Sequence, residues 1–412
     1  MPQPRVVVIA TTLGYDGVPH AGGTYMKALC DSMEPLVDLT VVVPGMRSNR
    51  DAAARPGAPR KVVPLGLEPS SSLPGKAANW LSVNADMRWR RRDPGMPYLP
   101  LLTDLVRSRE ARAAIRAADV IDLQWSDSIR LVHLLRWLNP RARIVGTFHD
   151  VMSQSFLREP QDTPAERRYW QRVARNSHRH ETRMVAALDE VVVFSDKDVE
   201  LLGSPRHTRV VRPPLAQGPL VRHQSPQPGD GTVLVVSYLA RDENNKAALW
   251  TVAELWPRVL DRAPGARLRL VGGGASDELR QAVDGIASIE LAGFVDDLEA
   301  EYAAAAVALV PVLQGAGVKF KTIEALLHGV PVVTTHVGAE GVGPDELFAA
   351  LTDSPDSLAG AMADVLADPA AAQAHADGSQ DWARTEFARP RFVEQVLASW
   401  GLAPGAGVAT PG

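Results

Sequence analysis

The stretch Leu309–Thr335, LVPVLQGAGVKFKTIEALLHGVPVVTT, leaves few ways to fold. Val307 to Leu313 is an apolar run of strand length, continuous enough to be buried on both faces. Gly315 and Gly317 let the backbone turn sharply and let a ligand approach closely. Lys319 to Leu327 has helical spacing, with Ile323, Leu326 and Leu327 on one stripe and Lys321 and Glu324 on another. Gly329 is placed as the residue that ends the helix, and Pro331 to Thr335 begins the next strand. A glycine loop that opens a helix presents unpaired N–H groups and the positive end of the helix dipole, a ready site for phosphate. Lys319 and Lys321 add positive charge there. Glu324, one turn in, is the kind of acceptor that can take two hydrogen bonds from a ribose diol.

These residues, with the continuation His336-Val-Gly-Ala-Glu-Gly341, resemble the donor-binding segment of family 4 retaining glycosyltransferases of GT-B architecture. The resemblance implies an α/β fold of two doubly wound Rossmann-like domains facing a cleft, with a C-terminal helix crossing back to the first domain. It assigns backbone N–H groups of Gly317 and Val318 and the charge of Lys321 to the donor diphosphate, and Glu324 to the nucleotide ribose. One departure stands out. Many members carry Glu-x7-Glu, and the position eight before Glu324 is Ala316.

Length and composition agree with such a fold. At 412 residues, two domains are expected. With 45% hydrophobic and 22% charged residues, the composition is that of an ordinary globular protein. A net charge of −4 gives no global signature of nucleic-acid binding. One cysteine, Cys30, excludes an internal disulfide and a multi-cysteine metal site, and is consistent with a reducing cytoplasm. Neither a signal peptide nor a run of about 18 apolar residues is seen, so a cytoplasmic protein without a transmembrane helix is expected.

The same βα rhythm recurs along the chain. Arg5–Thr12 reads as a buried parallel strand, followed by a glycine-rich loop to Thr24, a helix over Tyr25–Met33 and a strand over Asp38–Pro44. The loop is not Gly-x-Gly-x-x-Gly, so a dinucleotide fingerprint is not supported. By resemblance, Gly22 and Gly23 face the donor phosphates. Residues 45–75 carry little pattern apart from a short strand near Val62–Leu65. Met87–Arg92 is a basic cluster with an aromatic; Arg88 to Arg92 would suit a peripheral membrane contact or an anionic lipid-linked acceptor, although such runs are usually solvated faces. Thr103–Ala118 reads as one helix, Val120–Trp125 as a strand and Arg143–Asp150 as a strand ending in His149 and Asp150. Polar residues at the carboxyl end of a buried strand sit at the ligand edge of an open α/β sheet. In the resembling family the segment matching Thr147-Phe-His-Asp150 carries the histidine that touches the donor sugar, so His149 is the catalytic candidate.

A proline-rich linker is expected over 213–231, dividing an acceptor-side domain, 1–212, from a donor domain, 232–390. A helix over about 391–402 should return to the first domain, and 403–412 reads as a disordered tail. In the donor domain the resemblance implies that the loop Tyr238–Lys246 grips the diphosphate, with Arg241, Asn244 and Lys246 as the candidates, and Lys246–Leu260 reads as a helix. By resemblance, the backbone of Phe294 and Val295 holds the nucleobase edge. No Asp-x-Asp motif stands beside the phosphate loop, so no metal and no cofactor are expected, with the nucleotide sugar as co-substrate. The activity implied is transfer of a sugar from a nucleoside-diphosphate sugar to a hydroxyl of an acceptor sugar, glycolipid or small molecule, with retention. A nucleotide-sugar epimerase of the same architecture and an inactive nucleotide-sugar-binding partner protein are the alternatives.

Overall fold

The computed structural model describes residues 3–18, 20–65, 80–81, 84–88, 99–159, 161–224 and 231–403. Residues 89–92 of the basic cluster, 225–230 of the expected linker and 404–412 of the expected tail lie outside these.

Two parallel sheets carry the chain. The first contains β1 (Arg5–Ile9), β2 (Asp38–Pro44), β3 (Val62–Leu65), β4 (Val120–Gln124), β5 (Arg143–Phe148), β6 (Glu190–Val193) and β7 (Thr208–Val210). Their order is β3-β2-β1-β4-β5-β6-β7, with each pair parallel. The second contains β8 (Thr232–Val236), β9 (Arg267–Val271), β10 (Ile289–Gly293), β11 (Val307–Val310), β12 (Val332–Thr334) and β13 (Ala350–Leu351), in the order β10-β9-β8-β11-β12-β13. Parallel neighbours need crossovers, and helices supply them. Helices on both faces explain why the strands are apolar throughout: β4 and β11, for instance, are buried along their whole length.

In each sheet the chain steps outward from its first strand and then returns to that strand's other side. The order therefore reverses between β1 and β4, and again between β8 and β11. Such switch points open a crevice at the carboxyl ends of the strands, where open α/β sheets bind ligands.

The chain divides into two units, Met1–Pro214 with Arg389–Gly412, and Leu215–Ala388. Residues 215–224, within the stretch expected to be a linker, are docked on the second unit. Ala216 N donates to Phe387 O (3.1 Å), Arg222 donates to Gln380 Oε1 (3.0 Å) and Asp381 Oδ1 (2.6 Å), and Gln380 Nε2 donates to Val221 O (2.8 Å). The final helix, Arg389–Ser399, belongs to the first unit, where Phe392, Val396, Leu397 and Trp400 are buried.

Several elements differ from their sequence patterns. The helix expected over Thr103–Ala118 is two, Leu99–Arg107 and Arg109–Ala117, because Ser108 caps the second by accepting from Ala111 N. The helix expected from Lys246 begins at Asp242 and is interrupted by a π-turn over Thr251–Leu255. Pro257 lies two residues on, and a proline cannot donate to the turn before it. Pro369–Glu386 is one helix that runs through Gly378; an interior glycine weakens a helix by about 1 kcal/mol without ending it.

Candidate active site

In the second unit the switch point lies between the loop after β8 and the loop after β11. Gly315 and Gly317 have φ of 101° and 73°, left-handed conformations that L side chains rarely adopt. Between them they fold the loop back before the helix Phe320–Leu327. Lys319 is that helix's N-cap. Its ammonium donates to Ala316 O (2.9 Å) and Gly317 O (2.8 Å) and lies 3.9 Å from buried Glu340. Lys319, expected to offer its charge to a ligand, instead holds the glycine loop in shape.

Lys321 sits in the first turn of the helix, at the switch point. Its Nζ donates to Ser237 Oγ and Asn244 Oδ1, each at 2.8 Å, tying the helix to the end of β8 across the switch point. Asn244 is itself oriented by donating to Tyr238 O (2.8 Å). Burial, and then the nearby Arg241 guanidinium, push the Lys321 ammonium down to about 8. Glu324, one turn on, is pushed up to about 7 by burial, with Lys321 pulling the other way. A buried lysine lowered and a nearby buried carboxylate raised form a pair of perturbed groups of the kind that clusters at functional sites.

Arg241, the N-cap of the next helix, is paired with Glu243 at 2.5 Å and is mostly exposed. Lys246 falls away from the cluster. The early helix start carries it onto the solvent side, where it pairs with Asp242 at 2.7 Å. Beyond β9 and β10 the backbone is tightly knit. Gly272 N donates to Gly293 O (2.7 Å), and a side chain at Gly272 would strike Ser237 O. Phe294 is 78% exposed there, while Val295 packs against the core. An exposed phenylalanine on the ligand edge is a surface on which a nucleobase can stack.

In the first unit, Gly22 and Gly23 are not in a loop. They form the first turn of the helix Ala21–Met33, because His20 caps it by accepting from Gly23 N through Nδ1 (2.9 Å). The Gly23 N–H is therefore committed to the cap. Gly22 lies against Trp125: a Cβ there would come within 2.9 Å of the indole. Trp125 follows β4 at the switch point and has φ of 67°, a left-handed conformation that is costly for a bulky residue.

His149 lies just past the end of β5, 7% exposed, in an aromatic box. Trp125 stacks on it at 3.9 Å, and Tyr25 and Phe194 meet it edge-on at 4.9 and 4.8 Å. Its Nε2 is 2.8 Å from Gln124 Oε1. Burial pushes the imidazole down to about 3, so it is neutral at physiological pH. Gln124, Asp122, Thr147 and Trp400 continue the network inward. None was flagged in the sequence, although Gln124 ends a buried strand in the same way as His149. A depression of about 440 Å³ in the first unit, lined in part by Thr40, Lys61 and Glu110, lies near the opposite, amino ends of β2 and β3.

Comparison with known proteins bears on the fold and on the second unit. Across the whole chain the fold is GT-B. HepE from Anabaena, solved in complex with UDP, superposes with a TM-score of 0.65 at 14% identity, covering 96% of this chain and 99% of its own. Sucrose-phosphate synthase from Thermosynechococcus elongatus gives 0.66 at 18%, covering 97% and 98%. A glycosyltransferase from Rickettsia africae gives 0.58 at 10%, covering 97% and 98%. More particularly, residues 231–368 match the sequence profile of the family described as Glycosyl transferases group 1. An uncharacterized 44.6 kDa protein in the cps region of Klebsiella pneumoniae is 32% identical over 118 residues. That match takes in 27% of this chain and 30% of the Klebsiella protein.

Proposed function

We propose that this protein is a retaining glycosyltransferase of the family 4 type, moving a sugar from a nucleoside-diphosphate sugar to an acceptor hydroxyl without a divalent metal. The observation that carries the reading is the Lys321–Ser237–Asn244 bridge beside Glu324, at a switch point and at the start of a helix. As the glycosidic bond to the diphosphate breaks, negative charge builds on the leaving oxygens. Lys321, Arg241 and the N–H groups of the loop and helix start supply fixed positive potential for it. Glu324 accepts from the ribose hydroxyls, which gives its carboxylate the partners it lacks. His149 is proposed to contact the reacting sugar. The group 1 profile over 231–368 supports the donor assignment, and UDP in the HepE structure makes uridine diphosphate the first base to test. An acceptor in polysaccharide or glycoconjugate assembly is in keeping with the cps-region relative.

Thermal shift against UDP, GDP, TDP and ADP, followed by product analysis with the matching nucleotide sugars, tests the reading. Transfer that persists in EDTA is expected. Activity that vanishes with EDTA and returns with manganese would remove the metal-free mechanism, an epimerised donor would favour the epimerase, and binding without turnover would favour the inactive partner.

For His149 the prediction separates chemistry from grip. His149→Ala should lower kcat tenfold or more while nucleoside diphosphate affinity stays within a few-fold. A near-normal kcat with a lower melting temperature would take His149 out of the site.

A further inference from the structure

The buried polar chain behind His149 has a direction. Trp400 Nε1 can only donate, and it donates to Asp122 Oδ2 (3.0 Å). Asp122 Oδ1 accepts from Thr147 Oγ1 (3.1 Å) and from Gln124 Nε2 (2.9 Å), and Gln124 Nε2 also donates to Thr147 Oγ1 (3.2 Å). With its nitrogen turned toward two oxygens, the Gln124 amide must point Oε1 at His149. Flipping the amide would set its oxygen against the Asp122 carboxylate. An oxygen at 2.8 Å requires a proton on His149 Nε2. Nδ1 then keeps its lone pair, and no described residue donates to it.

Every link in this chain is desolvated. Asp122, Gln124, Thr147 and Trp400 are at most 2% exposed. An unsatisfied polar group is costly at such depth, so a satisfied network of this kind selects one arrangement. The rings around His149, those of Tyr25, Trp125 and Phe194, provide a hydrophobic wall and carry no charge at neutral pH.

We propose that Asp122, held by Trp400, acts through Gln124 as a positioning residue for His149, fixing the Nε2–H tautomer so that Nδ1 is the acceptor for a hydroxyl of the bound sugar. The tautomer stands on the hydrogen bonds alone; the sugar hydroxyl rests on the glycosyltransfer reading. Trp400 directly follows the last helix, so the C-terminal segment is part of what orients the candidate catalytic group.

The experiment is ¹⁵N imidazole NMR on the full-length protein with labelled histidine at pH 7.5, with the His149 resonance assigned by its loss in His149→Asn. The chain has ten histidines, a tractable number. Wild type is expected to show His149 as the neutral Nε2–H tautomer. Asp122→Asn should reverse it. The new amide must keep its oxygen toward Trp400, so its NH₂ faces Gln124, the Gln124 amide flips, and the imidazole proton moves to Nδ1. The same variant should lose at least tenfold in kcat with UDP affinity within about threefold, a split that simple destabilisation does not produce. Gln124→Met, close in shape and without an acceptor, should abolish the Nε2–H preference and gives a second route should Asp122→Asn fail to fold. An Nδ1–H or cationic His149 in wild type overturns the proposal, and so does an unchanged tautomer in both variants. If the tautomer reverses as expected in a protein that transfers no sugar, the positioning relation holds and the glycosyltransfer reading fails.

Discussion

Glu324 occupies a position its own charge destabilises. Its carboxyl is raised from an ordinary value of 4.5 to about 7, burial being the larger influence. Between those two values the folded chain retains a proton that the unfolded chain has released, so this group's contribution to stability falls as pH rises through that window. Lys321 acts at the other end. Lowered from 10.5 to about 8, it penalises the fold below about 8, and the penalty fades as pH rises toward 10.5. Glu324→Gln removes the first of these effects. We expect the variant to melt above wild type at pH 8 by the equivalent of about 1–3 kcal/mol, to match it near pH 4, and to bind nucleoside diphosphate at least tenfold more weakly. Calorimetry at the two pH values with titration of UDP checks this. A variant less stable than wild type at pH 8 would show that Glu324 is a structural partner of Lys321 and not a ligand group held ready. Lys319 shows why residue type alone misleads. Two lysines two residues apart carry the same formal charge, yet one is consumed by the carbonyls of its own loop and only the other reaches across the switch point.

At the scale of elements, the strand–loop–helix–strand unit around Leu309–Thr335 was legible because each of its parts has a local cause. Ile323, Leu326 and Leu327 are buried as their spacing demands, and Gly329 ends the helix with φ of 72°. Long-range consequences were not legible. The Gly22–Gly23 segment reads as a loop because glycines are poor helix formers, but His20 supplies a side-chain cap and a tightly packed Trp125 accepts only a glycine beside it. Asp122 and Trp400 are 278 residues apart in sequence, and nothing local connects them. The phosphate-loop assignment makes a prediction at this scale. Gly317→Ala places a methyl group at φ of 73°, which costs about 1–2 kcal/mol, and tilts the loop N–H groups away from a bound diphosphate. UDP affinity should fall tenfold or more while melting temperature drops by only a few degrees. Unaltered affinity would mean that the loop serves packing alone.

At the scale of the whole molecule, the two units differ in how the chain builds them. The second, Leu215–Ala388, is one continuous segment with its own sheet and its own apolar clusters. The first is discontinuous, completed only when Arg389–Ser399 returns to it. That helix and the residue after it bring Phe392, Val396, Leu397 and Trp400 to exposures of 1–4%, and Arg389 donates to Ser32 Oγ at 3.0 Å. Burying four such side chains contributes roughly 6–12 kcal/mol as an upper bound, comparable with the entire stability of a domain. Ending the chain at Ala388 removes that contribution and leaves Asp122 Oδ2 buried without its Trp400 donor. The expected outcome is loss of one unit and retention of the other. Calorimetry should show the first unit's transition lowered beyond detection at 37 °C, and near-ultraviolet circular dichroism should lose the Trp125 signal. UDP should still bind within about threefold of the full-length value, because Lys321, Glu324 and Ser237 all lie in the continuous segment. Isothermal titration of the truncated chain decides the matter: UDP binding lost together with the C-terminal helix would show that the diphosphate is not held by the second unit's residues alone.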